Sequence, residues 1–215
     1  MTRSLIRSGA AAALALLALH GGSVAHAQQP RTTDPASVPE LKTEFDRAAK
    51  LGLNAEILVA KARQGYLGAA STGKIRSVVH AYTDRLVAAR DALAPVHDDA
   101  ELVAGAEVMQ KDVPASVLRT LRAAQRTQSL VVAIGALQDL VEIRGVSVKQ
   151  ATDMVLTMVK NHATDTQIAS VGQKVQEDVA LGLAPSLAME VRLKGVLSLP
   201  QGPAASPQLA PNRRQ

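Results

Sequence analysis

Residues 71–93 read STGKIRSVVHAYTDRLVAARDAL. Ile75, Val78, Val79, Tyr82, Leu86 and Leu93 recur at steps of three, four and seven. That spacing sets them on one stripe of a helix and predicts an amphipathic α-helix over 72–94. The same periodicity continues on both sides. Ile168, Val171, Val175 and Val179 repeat it, and no stretch alternates as a strand does.

The start of this stretch has a rival reading. Gly68–Ile75, GAASTGKI, is one residue short of the phosphate-binding loop G-x-x-x-x-G-K-[ST]. That loop needs a hydroxyl after its lysine to hold magnesium, and Ile75 stands there. It also needs a preceding strand, whereas Leu51–Tyr66 reads as helix. The stretch is therefore read as a joint between helices, and no nucleotide is expected.

Start signals extend the helical reading. Ser147-x-x-Gln150 and Thr164-x-x-Gln167 have capping-box spacing, and Asp98-x-x-Glu101 is an acidic variant. Pro39, Pro114 and Pro185 suit a first helical turn, where no backbone donor is needed. Helices are expected near 39–50, 54–64, 72–94, 98–110, 114–143, 147–161, 165–181 and 185–196, with a break or bend of the fifth expected near Gly135. The fold class is all-α: a helical bundle or a short irregular helical-repeat array of about seven to eight helices.

A weak internal echo at an offset of 93 keeps the repeat reading open. Gly52-Leu53-Asn54 matches Gly145-Val146-Ser147, and Ser71 matches Thr164. Ile75, Val78, Tyr82 and Leu86 match Ile168, Val171, Val175 and Val179. Two-helix units of roughly 40–50 residues are the period of helical solenoids. A plain bundle with chance echoes is the other reading.

The flanks carry different information. Residues 1–27 combine Arg3 and Arg7, the apolar run Gly9–Leu19 and the exit pattern Ala25-His26-Ala27. These are the parts of a cleaved secretory signal peptide. The apolar run is about half of the roughly 20 residues a spanning helix needs. The chain has no cysteine, so no lipid anchor and no disulfide is expected. Residues 28–38 read as a flexible leader, 39–198 as one all-α domain, and 199–215 as a disordered proline-rich tail. Six of the ten prolines lie in the two flanks and a seventh, Pro39, at the border, which marks the middle as the part that packs. The expected location is periplasmic or extracellular.

Charge and composition exclude several function classes. Loss of Arg3 and Arg7 with residues 1–27 lowers the formal charge from +5 to +3, too mild a bias to point to nucleic acid. Aromatic residues are scarce, with one Phe, two Tyr and no Trp. Base stacking, sugar platforms and aromatic interface anchors are thus disfavoured. His80, His97 and His162 form no zinc signature. His97-Asp98-Asp99 with Glu101 gathers possible ligands, but acids are also favoured at a helix start. No metal and no other cofactor is expected.

No nucleophile motif is present. Paired acids for glycoside hydrolysis would have to come from Glu107, Glu190, Asp139 with Glu142, or Glu177 with Asp178. Arg119, Arg122 and Arg126 are spaced to share one side of a helix, where they could clamp phosphates or carboxylates of an anionic partner. The expected function is that of an exported non-catalytic helical protein acting by binding, a scaffold or adaptor of the cell envelope. The expected partner is a protein or an anionic envelope component. Two alternatives stay open. One is an exported hydrolase of envelope polymers, marked by two converging acids. The other is a carrier of an apolar ligand between helices, marked by a cavity at Met154, Met158 and Val131.

Overall fold

The computed structural model describes residues 34–95 and 98–198. The expected signal peptide, most of the leader, His97 and the tail lie outside the described residues. Within them the chain is all-α, as its periodicity predicts, with no strand. A 3₁₀ turn at Pro35–Ser37 precedes ten α-helices. They are α1 (Pro39–Lys50), α2 (Ala55–Leu67), α3 (Thr72–Leu93), α4 (Asp99–Met109) and α5 (Ala115–Ala124), followed by α6 (Val131–Glu142), α7 (Val148–Lys160), α8 (Asp165–Ala169), α9 (Val171–Ala180) and α10 (Pro185–Ser198). Helices α8 and α9 are one helix broken at Ser170, whose Oγ donates to Gln167 O at 3.1 Å.

The caps form as their spacing demands. Both capping boxes are closed, at Ser147 with Gln150 and at Thr164 with Gln167. Asp98 Oδ1 accepts from the Glu101 N–H at 2.7 Å. Ser71 caps α3 through the Lys74 N–H, so Gly68–Ile75 is the joint between α2 and α3. Pro39 and Pro185 open their helices, while Pro114 stands one position earlier, at the N-cap of α5.

Six connections share one shape. Each holds a residue at positive φ: Gly52, Ala69, Asp112, Gly145, His162 and Gly182. An apolar residue follows, then the residue before the next helix. In four of them the apolar N–H closes a bond back over the last helical turn. Leu53 donates to Ala48 O, Ala70 to Gly65 O, Ala163 to Met158 O and Leu183 to Asp178 O, each at 3.0 Å. This Schellman closure satisfies carbonyls that the helix end leaves open.

Packing is serial. Helix α1 packs on α2 and α3, α2 on α3, and α3 on α4 and α5. Helix α4 then packs on α6, α5 on α7, and α6 on α7, α8 and α9. Helix α10 closes the series on α9 and α7. With α8 and α9 counted as one, each of these contacts joins helices one or two apart in the chain. That connectivity suits a small helical bundle as well as a short helical-repeat array. The apolar stripes meet in one core that includes Leu41, Leu58, Leu86, Leu118, Leu137 and Met158. Each such side chain contributes about 1.5–3 kcal/mol of burial. Gly105 allows α4 close to α3, since an added Cβ would lie 2.8 Å from Leu93 Cδ1 and 3.0 Å from Ala89 Cβ.

One expected helix is corrected. The 114–143 segment is two helices, α5 and α6, separated by Gln125–Leu130. Gly135 lies inside an unbroken α6. The break falls where Gln125–Ser129 supplies five polar residues in a row and thus no apolar face to bury.

Candidate functional site

The three arginines singled out by spacing do come together, in different roles. Arg119 lies on α5 and Arg126 beyond its end, and both are exposed. With Arg122, Asp91 and Pro95 they line a depression of about 450 Å³. Arg122 itself is turned inward and is 5% exposed. Its Nε donates to Leu93 O at 2.9 Å, and its Nη1 to Gln125 O at 3.1 Å and Gln128 O at 3.0 Å. Its Nη2 is paired with Glu101 Oε1, which also accepts from the Leu130 N–H at 2.8 Å. Glu101 is fully buried.

Helix dipoles explain this arrangement. The guanidinium sits at the carbonyl ends of α3 and α5, which carry partial negative charge. The carboxylate sits in the first turn of α4 and at the start of α6, which carry partial positive charge. Arg122 therefore holds the α5–α6 loop and four helix ends in place. Of the three, only Arg119 and Arg126 remain exposed to solvent. Asp91 on the same rim is paired to Arg90 at 3.3 Å.

The other side of the α5–α6 loop faces a cleft of about 690 Å³. Thr127, Gln128 and Ser129 form one rim, and His162 and Asp165 from the α7–α8 turn form the other. The floor is apolar, with Leu130 and Ile168 buried. The sequence reading passed over this cleft. The only signal for it is the polar run at 125–129, read there as helix.

A third polar cluster joins α2, α3 and α4. Lys61 Nζ donates to Glu107 Oε1 at 2.8 Å and lies 4.7 Å from the centroid of the Tyr82 ring. Arg85 Cζ lies 5.8 Å from the same ring, and its buried Nε finds no hydrogen-bond partner among the described residues. Burial pushes the Tyr82 phenol well above its ordinary range, and the charge and hydrogen bond of Glu107 add to the shift. The phenol thus stays neutral. The cluster is a cross-helix clamp with cation–π character.

The other acids named by the sequence are engaged locally. Glu190 bonds Lys194 at 2.6 Å, and Glu142 bonds Lys111 at 2.7 Å. Hydrogen bonds from those lysines hold both carboxyls below their ordinary range. Asp178 takes a two-pronged bond from Arg192, at 2.6 and 2.5 Å, which lowers its carboxyl too. Glu177 accepts from Gln173 at 2.8 Å. Asp139 is shifted upward, by burial first and by the Glu142 charge second.

His80 bridges α1 and α3, with Nδ1 2.9 Å from Glu44 Oε2. Met154 and Met158 are core residues, and Met154 also floors a groove between α7 and α10 beside Met189. Val131 is half-buried at the start of α6. Among the described residues no group of three His, Asp or Glu is placed to hold a metal ion, and no helix is long and apolar enough to cross a membrane. Comparison with protein families, with curated proteins and with solved structures finds no match for this chain.

Proposed function

We propose that this chain is an exported, non-catalytic helical protein that acts by binding, as a scaffold or adaptor of the cell envelope. The observation that carries the reading is the depression where Arg119 and Arg126 stand exposed over a fixed support. Arg122, neutralised by Glu101, fixes the backbone beneath them, so two guanidiniums are presented without a mobile loop. Planar guanidinium donors suit phosphate or carboxylate oxygens of an anionic partner. The serial helix packing supports the same reading, because such arrays offer extended surfaces built from successive helices. The engaged state of Glu107, Glu142, Asp178 and Glu190 also favours binding, since each is held to a neighbouring base.

The test is binding to phosphatidylglycerol vesicles at low and high salt. The native protein is expected to bind at low salt and to be released by added salt. The Arg119→Ser/Arg126→Ser variant is expected to lose that binding with an unchanged melting temperature. Binding that survives both substitutions, or no binding by the native protein, refutes the assignment of this face. Export is tested separately, by N-terminal sequencing of the protein from the cell envelope. A start near Gln28 is expected, and an uncut Met1 in the cytosol refutes export.

A further inference from the structure

Helix α10 has two faces of different character. Its inner face buries Ala188 and Met189 against α7 and α9, and Arg192 locks it to Asp178. Its outer face exposes Leu187 at 49%, Val191 at 47% and Leu197 at 40%. Glu190 and Lys194 stand between these leucines, exposed and bonded to each other along the helix at 2.6 Å, a bond that pairing with a second helix would exchange for two across the seam. Leu187, Glu190, Lys194 and Leu197 fall at steps of three, four and three, the a-d-a-d seam of a two-stranded coiled coil. Helix α10 is the last described helix, and among the described residues none after it packs on this seam.

The seam is also a palindrome in property. Leu187 and Leu197 lie five residues either side of Arg192, and Glu190 and Lys194 lie two either side. We propose that this face pairs with the same face of a second copy, the two α10 helices running antiparallel and centred on Arg192. In that single register Leu187 meets Leu197 of the other copy, and Glu190 meets Lys194 twice over. A parallel pairing would set Glu190 on Glu190 and Lys194 on Lys194, which like charges oppose. The self-complementary patch is what a two-fold interface requires. The following segment, 199–215, is a poorer occupant. It reads LPQGPAASPQLAPNRRQ and holds no acid to meet Lys194.

Charge swaps at these exposed positions test the register. Sedimentation equilibrium of the native protein over a concentration series is expected to show a monomer–dimer equilibrium. Glu190→Lys and Lys194→Glu, each alone, are expected to weaken it about tenfold or more, because each creates two like-charge contacts. An equimolar mixture of the two variants is expected to regain dimers, since one copy then offers only lysines and the other only glutamates. Circular dichroism confirms that each variant stays helical. A native protein that stays monomeric at every concentration overturns the proposal, as do single swaps that associate like the native chain. A mixture that stays monomeric overturns it too. Deletion of 199–215 is expected to leave the equilibrium unchanged. Dimers that appear only after that deletion identify the tail as the occupant and refute the second copy.

Discussion

The α2–α3 and α7–α9 segments lie 93 residues apart and share their turns, whereas the α5–α6 connection between them is held by other means. Asn54 and Ser147 cap the short helices, and Ser71 and Thr164 cap the long ones. Ile75 and Ile168 are both buried, as are Tyr82 and Val175. The match ends where the neighbours differ. Val78 is 41% exposed, while its counterpart Val171 is 1% exposed. Helix α3 runs unbroken, and α8–α9 breaks at Ser170. Gly172 then lets α9 so close to α6 that an added Cβ would lie 2.6 Å from Asp139 Cβ. Between the two segments the α5–α6 loop has no helical cap of its own. It is held from beneath by Arg122 and Glu101. Turns written in adjacent residues repeat along this chain, and a connection that depends on distant residues needs a buried ion pair.

Breaking that ion pair is the largest test of the contrast. Arg122→Met removes the buried guanidinium that bonds Glu101 and the carbonyls of Leu93, Gln125 and Gln128, and is expected to cost about 3–5 kcal/mol in urea denaturation. The double variant Glu101→Gln/Arg122→Met is expected to recover part of that loss, because both charges of the pair are then gone. Next come the turns. In Gly52→Ala the added methyl meets no atom within 4 Å, so the variant isolates the effect of positive φ. It is expected to lose about 1 kcal/mol. His162→Gly, in a turn of the same shape, is expected to gain about 0.5–1 kcal/mol, read as a higher denaturation midpoint. Equal responses at the two sites would dissolve the idea of a shared turn.

The smallest effect concerns pH. The Asp178 carboxyl is held below its ordinary 3.8 by the Arg192 hydrogen bond. The stability it contributes is complete above that ordinary value and is lost as pH falls through the lower folded one. Asp178→Asn is therefore expected to flatten the acid loss of melting temperature below about pH 4. An unchanged acid slope would show that this pair carries none of it.

The sequence made legible whatever depends on neighbours three or four residues away. The caps at Asp98, Ser147 and Thr164 are of that kind, and so are the buried positions Ile75, Val79, Tyr82 and Leu86. The break at Gln125–Leu130 shows in the sequence only as the polar run 125–129, and the bonds that hold it, from Arg122 to the carbonyls of Gln125 and Gln128 and from the Leu130 N–H to Glu101, join it to residues outside it. The inward turn of Arg122 did leave a trace. It lies four residues after the buried Leu118 and three after the exposed Arg119, at the border between the apolar and the polar side of α5. The polar cleft at His162 and Asp165 was hidden for the same reason as the loop that forms its opposite rim.

The Glu101–Arg122 knot sets how this molecule comes apart. Serially stacked helices can fray from either end, one after another, with little cooperation between distant members. The knot gathers the end of α3, the first turn of α4, the end of α5 and the start of α6 into a single fastening. Loss of terminal helices stops there, so the slowest-exchanging amides belong to the helices that meet at the knot, in the middle of the chain.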